Sequence, residues 1–389
     1  MQIPPELKPH LDQLRVTHPE LQGVSDDQLM ELIETAMREH AMQQTTVPDD
    51  AELERMSTRE LGVLGERMLD QGKWPEAEPV LLRALAKADR EGNANEQISV
   101  TGLLGRLYRD RGDFPEAHGL YQQALGLAEH LGDARLQGVI YTEIGTTHHM
   151  QSQYPQAIVH YRRSLEIIEA LEDEPGMAAG YGNLGSIYLQ QGDLEAAIEA
   201  HEKALALSLK LGNEQGVAQA YGNLGNAYSR QGRLKRAVEM YRESLAITER
   251  LGLEATSANQ YGNLGNVYRQ QGTLDRAIEM YEKALAIDER IGNEPNAAQT
   301  YGNLAVCYGQ KGDVTQALEF YRKSLAILER IGDLHNAAIS YFNLGLLYRD
   351  EIGDANEART NLERAKALFD QVGDARNAQK AARALQGLS

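Results

Sequence analysis

Tyr221-Gly-Asn-Leu-Gly225 sets the reading of the whole chain, because it returns at one fixed interval. The other copies are Tyr181-Gly-Asn-Leu-Gly185, Tyr261-Gly-Asn-Leu-Gly265, Tyr301-Gly-Asn-Leu-Ala305 and Tyr341-Phe-Asn-Leu-Gly345, so successive tyrosines stand 40 residues apart. A period of roughly 20 to 50 residues means stacked supersecondary units, each burying its apolar face only against a neighbour. Outward from these copies the frame extends back to Leu61-Gly-Val-Leu-Gly65, Thr101-Gly-Leu-Leu-Gly105 and Tyr141-Thr-Glu-Ile-Gly145, making eight in all. The eighth carries one extra residue near Glu351-Ile352.

Each copy reads as two helices. In the fifth, the first is expected from Glu214 to Gln231 and the second from Lys235 to Leu251, with a turn at Gly232. Glycine recurs at that turn, except that Ser152 replaces it in the third copy. Pro75, Pro115 and Pro155 fall in the first turn of the second helix, where a missing N–H is harmless. Asp113, Asp193 and Asp313 stand where they can cap it. Second helices stop at Gly92, Gly132, Gly212, Gly252, Gly292, Gly332 and Gly373, a left-handed position that disfavours a β-carbon. Asn93, Asp133, Asn213, Asn293, Asp333 and Asp374 follow as caps of the next helix. Leu171-Glu-Asp173 has no glycine, so a looser turn is expected there.

Residues 1–48 do not repeat; Ser25-Asp-Asp-Gln28 opens an amphipathic helix to about Gln43, followed by a linker. Residues 49–373 form the array, and 374–389 suit a polar capping helix that closes it.

Composition limits the functions available. The 389 residues include 11 Pro, 4 Phe and 1 Trp, and the net charge of −18 argues against nucleic acid or anionic membrane as partner. Residues 1–60 hold 13 acidic and 5 basic side chains, so they supply −8 of it. No run of about 18 apolar residues suggests a membrane span. The first ten residues lack the pattern of a secretory leader, and Cys307 is the lone cysteine, so a cytoplasmic home is expected.

The anchors of the sixth copy are Tyr261, Leu264, Gly265, Tyr268, Gly272, Ala277, Tyr281 and Ala284. At these spacings the chain resembles tetratricopeptide repeat proteins from residue 61 onward. The 40-residue length and the Asn-Leu-Gly core resemble the longer-repeat branch, with kinesin light chains and the Leu-Gly-Asn-repeat modulators of G-protein signalling. The resemblance implies an all-α, right-handed α-solenoid whose first helices line a concave side that binds peptide segments of other proteins.

Numbering each copy so that its opening Tyr is position 4 divides the first helix by face. At about 100° per residue, positions 4, 7, 8 and 11 share the packing arc, and positions 2, 6, 9 and 13 share the opposite one. That opposite stripe offers Asn183 and Gln190 in the fourth copy, and Gln219, Asn223, Asn226 and Arg230 in the fifth. The sixth supplies Asn259, Asn263, Asn266 and Gln270, the seventh Gln299, Asn303 and Gln310, and the eighth Asn343. Asparagine is a poor helix former, about 0.6 kcal/mol worse than alanine, yet five copies place it at position 6. A primary amide donates and accepts together, matching the C=O and N–H of an extended peptide. These residues are the expected peptide-binding ladder, which Asn226 and Asn266 at position 9 extend; the competing reading is that the position-6 asparagines bond to the neighbouring repeat and serve the stack. The first three copies instead place Arg59, Val63, Glu66, Asp70, Ser99, Leu103, Arg106, Asp110, Val139, Glu143, Thr146 and Met150 on this stripe.

The glycines do not form a phosphate loop: no strand precedes them, no Gly-Lys-Ser/Thr follows, and they sit inside helices. Their small size at positions 5 and 8 is expected to permit close helix approach. His148 is expected in the core, His149 facing the groove, and Cys307 buried rather than nucleophilic. No metal-ligand spacing and no nucleophile–base pair is visible, so neither a cofactor nor an enzymatic activity is expected. The reading is a non-enzymatic interaction scaffold for a protein or peptide partner. The alternative is a self-regulated or self-assembling module, in which residues 25–43 enter the groove of the same or a neighbouring chain, leaving a homo-oligomer open.

Overall fold

A computed structural model supplies the architecture, and the structure describes residues 48–388. The expected helix at Ser25–Gln43 lies outside the described residues. Among the described residues every regular element is helical. A short α1 (Asp50–Arg55) precedes α2 (Thr58–Asp70), and each starts in a reciprocal capping box, Asp49 with Glu52 and Ser57 with Glu60. There follow α3 (Trp74–Glu91), α4 (Ala94–Asp110), α5 (Phe114–Leu131), α6 (Ala134–Met150), α7 (Tyr154–Ala170) and α8 (Glu174–Gln191). Next come α9 (Leu194–Lys210), α10 (Glu214–Arg230), α11 (Leu234–Arg250), α12 (Glu254–Gln270), α13 (Leu274–Ile291) and α14 (Glu294–Gln310). The array ends with α15 (Val314–Ile331), α16 (Leu334–Leu347), α17 (Ala355–Gln371) and α18 (Ala375–Gln386). The helices succeed one another in packed antiparallel pairs, the organisation of a tetratricopeptide α-solenoid.

The chain divides into two compact units that part between Thr147 and His148, inside α6. Unit 1 packs Leu61, Leu64, Met68, Leu81, Leu104 and Leu107 in one cluster, and Ile98, Tyr121, Ile140 and Ile144 in another. Unit 2 repeats one motif, in which a signature Leu and Tyr of the first helix meet a buried Tyr of the second. Leu224, Tyr228, Tyr241, Leu264, Tyr268 and Tyr281 illustrate it. Each such side chain contributes about 1.5–3 kcal/mol by leaving water.

Position 8 is where close approach is decisive. A β-carbon on Gly225 or Gly265 would stand 2.6 Å from the ring of Tyr241 or Tyr281, and one on Gly105 would meet Tyr121 at 2.7 Å. Position 5 differs from expectation. Only at Gly222 is space tight, with Gln260 Nε2 2.8 Å from the site of a β-carbon; Gly182 and Gly262 face open space.

The turns hold the 40-residue register. Gly232 has φ of +78°, and Arg233 donates its N–H to Tyr228 O at 2.9 Å. Ser152 (φ +58°) and Glu172 (φ +53°) adopt the same left-handed conformation without a glycine. At Glu172 the bonds are the usual ones: Glu172 N–H to Glu169 O at 3.0 Å and Asp173 N–H to Ile168 O at 3.2 Å. The looser turn expected there does not occur, because two backbone hydrogen bonds and the packed helices outweigh a left-handed penalty of about 1–2 kcal/mol. The extra residue of the eighth copy is absorbed as a π-helical turn over Tyr348–Ile352, closed by Gly353 at φ +76°. Asp193, Asp313, Asn93, Asp133, Asn213, Asp333 and Asp374 make their caps; Asp113 and Asn293 make none. At the end, α18 buries Ala378, Ala381 and Ala384 and leaves the rest of its surface polar.

Candidate functional site

The stripe opposite the packing arc lies where helical periodicity puts it. In unit 2, Asn183, Asn223, Asn263, Asn303 and Asn343 are half-buried, while Gln190, Gln219, Arg230, Asn259, Gln270, Gln299 and Gln310 are exposed. The amides of Asn223, Asn263 and Asn303 come together on one cavity of about 490 Å³ between α10, α12 and α14, with Gln219, Asn259 and Gln299 at its edge. None of the five position-6 side chains has a hydrogen-bond partner among the described residues.

Other members of the expected ladder are engaged. Tyr241 Oη donates to Asn226 Oδ1, and Tyr281 Oη donates to Asn266 Oδ1, each at 2.7 Å. Half of each position-9 amide therefore belongs to the stack, although Asn226 and Asn266 were expected to extend the ladder. Arg230 Nη1 donates to Leu189 O at 2.5 Å, which ties α10 to the end of α8. Gln190 Oε1 lies 2.8 Å from His149 Nε2, and Asn296 Nδ2 donates to Asn259 Oδ1 at 3.0 Å.

Unit 1 treats its stripe differently. Arg106 pairs with Asp70 at 2.5 Å and with Asp110 at 3.7 Å. Arg109 pairs with Asp110 at 2.8 Å and also with Glu143, which accepts in addition from Tyr121 Oη at 3.3 Å. These charges satisfy one another, while Val63 and Val139 remain about half exposed (45% and 53%).

The signature tyrosine has a role that helical periodicity alone did not show. Tyr181, Tyr261, Tyr301 and Tyr341 send their hydroxyls back 12 residues to Glu169, Glu249, Glu289 and Glu329 on the preceding second helix. Lys203, Lys283, Lys323 and Arg364 lie over the same rings. The spacing of Glu, Tyr and Lys recurs every 40 residues, so the signal was present in the repeat itself. Charged residues such as Lys283 and Arg242 are exposed yet engaged, Arg242 donating to Tyr268 Oη at 2.9 Å.

Three single residues remain. Cys307 is fully buried, and burial pushes its thiol up to about 11, so it is no nucleophile at neutral pH. His148 is half-buried rather than in the core; its Nδ1 lies 2.7 Å from Gln153 Oε1 and its ring stacks on His160. The buried histidine is instead His201, in the place of Tyr241 and Tyr281, with neither ring nitrogen bonded and burial lowering it to about 4. Among the described residues no cluster of His, Cys, Asp and Glu is arranged to hold a metal, and no helix is long and apolar enough to cross a membrane.

Comparison with known proteins agrees with this architecture. The tetratricopeptide repeat family model matches residues 61–130, 136–210, 176–250, 254–330 and 311–371. The fold is similar to the crystal structure of BtubC (BKLC) from P. vanneervenii, with a TM-score of 0.51, 26% identity, and coverage of 57% of this chain and 92% of that one. It is also similar to the apo form of RapI, with a TM-score of 0.65, 16% identity, and coverage of 85% and 97%. A third likeness is to the STAND protein with a tetratricopeptide repeat sensor, PH0952, from Pyrococcus horikoshii (TM-score 0.62, 18% identity, 82% and 49% covered). No curated protein matches the chain in sequence. With the repeat motif, the paired helices and the family match in agreement from residue 61 to 371, the chain belongs to the tetratricopeptide repeat family.

Proposed function

We propose that the chain is a non-enzymatic interaction scaffold that binds an extended peptide segment of a partner protein along the amide stripe of unit 2. The observation that carries this is the set of half-buried position-6 asparagines with no partner among the described residues, three of them on one cavity. A primary amide held there exposes one donor side and one acceptor side. The main chain of an extended segment presents the same pair, so the grip is indifferent to side-chain identity and repeats with the array.

The test uses the full chain. Peptides are selected from a random twelve-residue library, and their affinity is measured for wild type and for the triple variant Asn223→Ala, Asn263→Ala, Asn303→Ala. Each lost amide bond is worth about 0.5–1.5 kcal/mol, so the triple variant should bind at least about tenfold more weakly at unchanged melting temperature. Equal affinity would remove the ladder.

A second reading rests on the exposed Val63 and Val139 of unit 1. They offer an apolar surface to the amphipathic segment expected at residues 25–43. Deleting residues 1–48 should then tighten peptide binding; a lower melting point with unchanged binding would assign that segment to capping instead.

A further inference from the structure

The cavity shared by Asn223, Asn263 and Asn303 has one ionisable residue in its wall, Asp288 of α13. The equivalent places in neighbouring copies, at 40-residue intervals, hold Ser208, Thr248 and Leu328. Thr248 is fully occupied: it accepts from Ser257 Oγ at 2.8 Å and donates to Leu245 O at 3.2 Å. Asp288 is 2% exposed, and its Oδ1 has no hydrogen-bond partner. The side chain of Asn293, which makes no cap for α14, acts to lower the Asp288 carboxyl, whereas Asn213 caps α10. Burial lifts the Asp288 carboxyl to about 6, against the opposing influence of Asn293, so it is largely ionised at neutral pH.

A second acceptor in the same wall is in the same position. Gln260 is 7% exposed and its Oε1 is unpaired. There is room in the same cavity. Gln260 fills the space at Gly222, but at Gly262 the corresponding neighbour is the shorter Thr300, and nothing lies within 4 Å of where a β-carbon would stand. Two buried acceptors, one of them anionic, on an otherwise uncharged polar cavity suit a positively charged group with several N–H donors.

We propose that this cavity takes a basic side chain of the bound segment, a lysine ammonium or arginine guanidinium, with Asp288 and Gln260 Oε1 as its acceptors. The assignment rests on the groove reading above and adds to it what the main-chain ladder lacks, a preference for one side-chain class at one register. The amides of Asn263 and Asn303 hold the backbone, and the carboxylate selects.

The test pans the same random twelve-residue library against wild type, Asp288→Thr and Asn263→Ala, each as the full chain. Thr248 occupies the place of Asp288 one copy earlier, so the threonine variant suits the fold, and a melting curve verifies it. Peptides selected on wild type should carry Lys or Arg at one fixed position. Replacing that residue by norleucine should weaken binding at least about tenfold on wild type and less than about twofold on Asp288→Thr. The absence of a fixed basic position, or an equal norleucine loss on both chains, overturns the proposal while leaving the ladder standing. Peptides that bind Asn263→Ala as well as wild type overturn the ladder instead, and an empty selection overturns both. A spermidine control separates the source of the cation. If spermidine raises the melting point of wild type but not of Asp288→Thr, and no basic position is selected, the site takes a free polyamine and the peptide assignment falls.

Discussion

Glu143 and Asn183 stand at position 6 of successive copies, 40 residues apart, and the surroundings of the two could hardly differ more. Around Glu143, in unit 1, the stripe closes on itself: Asp70, Arg106, Asp110 and Arg109 form a chain of pairs that ends on Glu143 and the Tyr121 hydroxyl. At Asn183, Asn223, Asn263 and Asn303, in unit 2, the same helical face carries position-6 amides that no described residue engages, although its position-9 amides accept from Tyr241 and Tyr281. The packing arc is the same in both units, so a tetratricopeptide pair does not dictate what its opposite face does. That face is set by a few side chains and by whether they pair with one another.

If the ion network of unit 1 is structural, breaking it should be costly. Arg109 is 8% exposed, and Arg109→Ala leaves Glu143 with only the Tyr121 hydroxyl. It should destabilise unit 1 by about 2–3 kcal/mol. Trp74, the single tryptophan, lies on α3 in this unit, and its fluorescence in a urea titration reads the loss. A change under about 0.5 kcal/mol would make the network decorative.

The second difference sits beneath the stripe. Tyr121 in unit 1 and His201 in unit 2 hold the same place on their second helices, but only the tyrosine has a hydrogen bond. His201 is lowered from 6.5 to about 4 by burial, so between those values the unfolded chain takes up the proton that the folded chain refuses. Its contribution is therefore complete above pH 6.5 and lost as pH falls toward 4. The loss reaches about 2–3 kcal/mol by pH 4.5. His201→Tyr should abolish this slope in helix content followed by circular dichroism; an unchanged slope would point to the surface carboxylates.

Asp288 titrates in the opposite sense. Its carboxyl is raised from 3.8 to about 6, so the folded chain holds the proton more tightly, and stability falls as pH rises through that range. Asp288→Thr should gain on the order of 1–2 kcal/mol at pH 7.5 and nothing near pH 3.5, judged by urea midpoints. A destabilised variant at pH 7.5 would mean that the carboxylate serves the stack. Smallest of all should be Asn263→Ala, within about 0.5 kcal/mol of wild type, because better helix propensity offsets lost contacts. A loss above about 1.5 kcal/mol would place Asn263 with the structural residues.

Much of this was legible before any coordinates. Tyr, Leu and Gly at fixed spacing specified the helix pairs, and the π-turn at Tyr348–Ile352 appeared in the sequence as one residue too many. The stripe was legible because helical periodicity is enough to sort faces. What periodicity cannot show is which groups meet across helices. Asn226 and Asn263 read alike in sequence, yet a tyrosine hydroxyl from α11 reaches the first, and no described residue bonds the second. Glu172 in a left-handed turn was missed for a related reason: the packed helices on both sides, not the local residue, choose that conformation. Asp288 was missed because only first-helix positions were sorted by face, and it reaches the same cavity from a second helix.

The central claim is that position-6 amides hold a partner's main chain, and backbone N-methylation of a selected peptide tests it most directly. Each methyl group removes one N–H donor and leaves the side chains untouched. On wild type, methylation in register with Asn223, Asn263 and Asn303 should weaken binding about tenfold per site, with intervening sites tolerated, and the pattern should vanish on the triple alanine variant. Methylated and unmethylated peptides binding wild type alike would contradict the account.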